Sequence, residues 1–168
     1  MRIACKLIVL FLLATVLHWA LTSVLGGWGQ NLNVMLVFAV AACVFVKPEY
    51  GYPLAFMCGL FLDFFGVKLF GHYALIFTLC AAVIYSLENR LDFDSAIPQM
   101  VCVLCLESAA ALSNLILLKL LAGFSAWNGF FPFVGGIAAS ALLAPGVFWL
   151  VRRTFADKTV TYHSDAFH

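Results

Sequence analysis

The residues able to do chemistry are few, and they stand inside apolar runs. Asp63 ends a row formed with Gly51, Ala55 and Gly59. These recur every four residues, so a helix places them on one face. Small residues at that spacing let a second helix approach closely. Asp63 then lies about 18 Å along the axis from Gly51. An ionised Asp at the centre of a membrane helix costs roughly 2.5–3.5 kcal/mol on insertion scales. It must therefore face protein or reach an interface. Two readings stay open: a functional contact, with Lys68 and Lys119 the basic residues expected at that level, or an Asp near a helix end bonded to loop backbone. Glu107 forms a second polar face with Ala110, Ala111 and Asn114, at i, i+3, i+4 and i+7. It falls near the midpoint of its run. Helix–helix glue, a ligand or ion contact, and a subunit interface are its three readings.

The remaining reactive side chains form no catalytic set. Cys5, Cys43, Cys58, Cys80, Cys102 and Cys105 all lie within or at the edge of apolar runs. Cys102 and Cys105 have redox spacing but no cation or polar surroundings to stabilise a thiolate. A zinc site would need further ligands nearby. His18 and His72 are isolated. No nucleophile–base pair, phosphate loop or zinc spacing occurs. The expectation is no enzyme, no metal and no cofactor.

The elements that must hold these residues follow from composition. Of 168 residues, 65% are apolar and 10% charged, against about 25% charged in soluble domains. A water-facing surface cannot be built from that, so the chain belongs in lipid. The net charge is +1, and no basic stripe suits nucleic acid. Apolar runs cover residues 3–25, 31–46, 50–65, 70–87, 97–121 and 130–151. The expected fold is all-α, a bundle of six transmembrane helices in one domain over residues 1–153. A polar, mobile cytoplasmic tail follows at 154–168. The middle runs are short for the ~20 residues a span needs, and a re-entrant hairpin of the second and third is the alternative. The first run also resembles a signal peptide. Its length and the lack of an A-x-A site favour an uncleaved span.

Short connections make neighbouring helices antiparallel. With the N-terminus inside, Arg2, Lys6, Lys47, Arg90, Arg152, Arg153 and Lys158 face the cytoplasm, and only Lys68 and Lys119 face out. This bias puts both termini in the cytoplasm. Trp28 and Trp127 fall in outer loops and Trp149 at the inner boundary. In the last run Gly135 with Ala139, and Gly136 with Ser140, form two small-xxx-small pairs. Bundle packing or a partner interface would use them. Pro145-Gly146 should bend or loosen that helix.

The order of features is specific. Asn31-Leu32-Asn33-Val34-Met35-Leu36 opens the second run, and Pro48 and Gly51 follow. Then come Phe56-Met57-Cys58-Gly59-Leu60-Phe61-Leu62-Asp63, Gly66 and Phe70-Gly71. This resembles the MreD family pattern G-F-x-x-G-L-x-x-D followed by two spaced glycines, with Ala55 standing where the pattern often has its first Gly. Pro145-Gly146-Val147-Phe148-Trp149-Leu150-Val151-Arg152-Arg153 is similar to the family's last helix and basic end. The resemblance implies a non-enzymatic subunit of the cell-elongation complex in the bacterial inner membrane. It implies MreC as partner and, through it, MreB, RodA and a penicillin-binding transpeptidase. It also implies a bundle like the substrate-binding subunits of energy-coupling-factor vitamin transporters, with an outward-facing pocket.

The expectation is a scaffold whose Gly51/Ala55/Gly59/Asp63 face binds a partner helix, MreC first. The rival is a transporter subunit whose ligand meets Glu107 and Asn114. An intramembrane enzyme, the third reading, lacks even a candidate catalytic pair.

Overall fold

The computed structural model describes residues 2–25, 32–65, 70–87, 93, 95–122 and 130–155. Trp28, Lys68, Arg90, Trp127, Lys158 and tail residues 156–168 lie outside them. The described residues form six helices in the order α1 (Arg2–Leu25), α2 (Val34–Phe45), α3 (Pro48–Phe65), α4 (His72–Leu87), α5 (Ala96–Ala122) and α6 (Phe130–Phe155). Stretches within α1, α5 and α6 (Ile3–Val24, Ala96–Leu117 and Phe133–Phe155) are long and apolar enough to cross a membrane. They mark the chain as a multi-pass membrane protein.

α2 is the centre of the molecule. It packs on α6, α3, α4 and α1, and touches α5. Its residues Val34 to Cys43 are all buried, as expected of a helix apolar all round. With 12 residues it is only about 18 Å long, short of the ~30 Å hydrocarbon thickness. Its expected start at residue 31 moves to Val34 because Asn33 caps it. The Asn33 Oδ1 accepts the Leu36 N–H at 3.1 Å and satisfies an orphan donor.

Two hairpins flank α2: α3 with α4, which share the most extensive interface, and α5 with α6. α4 and α5 meet only sparingly. α1 lies outermost, held to α3 by edge-to-face rings, Phe11 on Phe61 and Trp19 on Phe65. Lys6 Nζ donates to the Thr154 carbonyl at 2.8 Å, so the start of α1 and the end of α6 share one end of the bundle. That contact also satisfies an orphan carbonyl with a cation at the favourable end of the helix dipole. α6 therefore runs past the expected boundary at residue 151. Thr154 and the buried Phe155 belong to it rather than to the tail. α6 also continues through Pro145 without a break.

Candidate functional site

The Gly51/Ala55/Gly59/Asp63 row forms one face of α3, and α4 fills it. All four residues are buried. A Cβ on Gly59 would collide with the Tyr73 carbonyl oxygen and the Ala74 backbone. A Cβ on Gly51 would collide with the Tyr85 hydroxyl, which donates to the Val46 carbonyl at 3.0 Å. The absent side chains thus set how closely the hairpin closes. The helix packed at this face is the chain's own α4.

Asp63 completes the closure. Its Oδ1 accepts the Tyr73 N–H and its Oδ2 the Ala74 N–H, each at 3.0 Å. α4 needs this, because the residues before it, Phe70 and Gly71, carry no capping oxygen, and its first turn has no acid. Gly71 adopts φ 91°, a left-handed turn that favours glycine. A carboxylate from α3 therefore supplies both the cap and the negative charge that a helix N-terminus prefers. Of the two readings open for Asp63 this is nearer the second, with the amides those of the first turn of α4 rather than of a loop. Its partners are backbone amides; Lys119 is exposed near the end of α5, and Lys68 lies outside the described residues.

The second polar group gathers where α2 begins. Glu107 on α5 is 3% exposed and Ser140 on α6 is fully buried. Ser140 Oγ donates to the Gly136 carbonyl at 3.1 Å and accepts the Asn33 N–H at 3.2 Å. The Glu107 carboxylate lies beside the Ser140 hydroxyl and the Asn33 backbone amide. Its Oε2 finds no hydrogen-bond partner among the described residues. Across the seam, Tyr73 and Cys80 of α4 lie within electrostatic reach of Glu107. Further along α5, Asn114 Nδ2 donates to the Tyr73 hydroxyl at 3.0 Å. Glu107 and Asn114 thus both face the seam between the α3–α4 and α5–α6 hairpins. Gly136 is buried on the same face of α6 as Ser140, while Gly135 and Ala139 are half-buried.

Other expected candidates stay apart. Cys102 is half-buried and Cys105 exposed, both as free thiols. His72 sits beside the Tyr73 ring, with centroids 5.5 Å apart, and His18 lies in α1. No group of three His, Cys, Asp or Glu able to hold a metal occurs among the described residues. The apolar gap between α2, α3 and α4, lined in part by Leu36, Cys43, Ala55 and Phe77, is too tight for a water molecule. The sequence placed Ser140 in a small-residue pair and gave Asn33 no role of its own. Asn33, ahead of an apolar run, carried a capping signal, whereas the meeting of Ser140 with Glu107 has no local signal.

No protein-family model, no curated protein and no solved structure matches the chain.

Proposed function

We propose that the chain is a non-enzymatic subunit of the bacterial cell-elongation complex, as its resemblance to the MreD family implies. It sits in the inner membrane as a bundle of six spans with both termini cytoplasmic. There it binds MreC and, through MreC, helps organise MreB, RodA and a penicillin-binding transpeptidase for peptidoglycan synthesis. The observation that supports this reading is the place of the resembling residues. Gly59, Asp63 and Gly71 are the ones that join α3 to α4. In this reading they fix the shape of the scaffold, and a partner helix docks elsewhere. The half-buried Gly135/Ala139 pair of α6 is the place assigned to it, since small residues there let a helix approach.

Co-purification from native membranes in mild detergent, with partners identified by mass spectrometry, tests the reading. Recovery of MreC with RodA and a transpeptidase is expected, and Gly135→Leu should lose MreC while leaving the protein folded. The buried Glu107 and the half-buried Asn114 at one seam favour a second reading, a small-molecule transporter subunit of the energy-coupling-factor type. Recovery of an ATPase pair and a second transport membrane subunit would replace the first reading with that one.

A further inference from the structure

We propose that Lys6 and Arg153, at the end of the bundle shared by α1 and α6, hold the phosphate of an anionic membrane phospholipid. The inference goes beyond the scaffold reading and stands without it.

Three observations carry it. First, both cations are exposed yet held in place. Lys6 Nζ gives one of its three N–H donors to the Thr154 carbonyl at 2.8 Å and lies over the Phe155 ring, 5.9 Å from its centre. The Arg153 guanidinium lies over the Trp149 ring, 5.2 Å from its centre. A guanidinium laid on an aromatic face keeps its planar fork of donors at the rim, and that fork matches a phosphate. Thr154 is the chain neighbour of Arg153, so cations from two helices flank one spot.

Second, each cation heads an apolar helix face. Leu13 and Leu17 follow Lys6 at i+7 and i+11, and Trp149 and Leu142 precede Arg153 at i−4 and i−11. All four are exposed. A phospholipid has the same layout, a charged phosphate above apolar chains, and an indole settles at that boundary. Third, the charge at this end is positive. The Phe45 ring meets Phe148, which brings the turn between α2 and α3 to the same end. Lys6, Lys47, Arg152 and Arg153 then stand there against Glu49 among the described residues. A zwitterionic headgroup carries a cation of its own that such surroundings repel, so the lipid selected is an anionic one.

Native mass spectrometry of the purified protein in mild detergent, with equal amounts of phosphatidylglycerol and phosphatidylethanolamine of matched chains, reads the selection. Each Lys or Arg near a membrane surface gives a roughly fivefold preference for anionic lipid. Wild type should retain phosphatidylglycerol over phosphatidylethanolamine by at least that factor. Lys6→Gln and Arg153→Gln should each lower the preference by about the same factor. Lys119→Gln, at the opposite end of the α5–α6 hairpin from Arg153, should leave it unchanged. Equal retention of the two lipids by wild type, or an equal loss from Lys119→Gln, would overturn the proposal. So would displacement of phosphatidylglycerol by glycerol phosphate, which carries the phosphate without the chains. Should Lys6→Gln loosen α1, Arg153→Gln leaves the contact of Lys6 with Thr154 in place and decides alone: an unchanged preference there contradicts the site.

Discussion

Asp63 and Glu107 are both buried carboxylates on helices of one bundle, yet they are held in opposite ways. Asp63 has a backbone N–H on each oxygen. Glu107 has one oxygen without a partner among the described residues. The difference extends to the elements around them. The α3–α4 hairpin closes backbone to backbone over Gly59, while α4 and α5 barely meet. Charge-assisted bonds to an otherwise uncapped helix stabilise both partners. A carboxylate with an unsatisfied oxygen stabilises little, because its desolvation is not repaid. The first arrangement builds the fold, and the second leaves one carboxyl oxygen without a partner among the described residues.

Breaking the closed region should give the largest effect. Gly59→Leu forces a side chain into the α4 backbone and should cost more than about 3 kcal/mol, since overpacking a tight contact costs 1–3 kcal/mol even where it can relax. Little folded protein should survive extraction and gel filtration in mild detergent. Asp63→Ala removes both cap bonds at once and should cost about 2 kcal/mol, at the upper end for a lost cap, read by denaturant or thermal unfolding in detergent. A smaller loss, about 1 kcal/mol, is expected for Tyr85→Phe by the same measurement. It deletes the hydroxyl that donates to the Val46 carbonyl and leaves the ring against Gly51. Equal losses across all three variants would mean that the hairpin is not closed at Gly59 and Asp63 in particular.

The contrast was half legible in the sequence. Apolar runs located the helices because lipid-facing and buried positions are both apolar, so run length alone marks them. The same uniformity hid which faces are inside. The four-residue spacing from Gly51 to Asp63 announced a helix contact but not whose helix. The clue lay a few residues on: Phe70 and Gly71 offer no side-chain oxygen to cap α4, which leaves its first amides open to an acceptor from another element. The shortening of α2 followed from Asn33, whose side chain competes for the first turn. The extension of α6 through Phe155 depends on Lys6 reaching Thr154 from the far end of the chain. The convergence of Asn33, Glu107 and Ser140 likewise joins three helices through long-range packing, which no local pattern encodes.

The most direct test compares isosteric changes at the two acids, Asp63→Asn and Glu107→Gln, by unfolding the purified variants side by side. Asp63→Asn turns one acceptor into an NH2 group that faces an amide donor, and should cost about 1 kcal/mol or more. Glu107→Gln removes a half-answered charge and should be neutral within about 0.5 kcal/mol or raise stability. A Glu107→Gln protein clearly less stable than Asp63→Asn would contradict the division into a closed structural hairpin and an open seam.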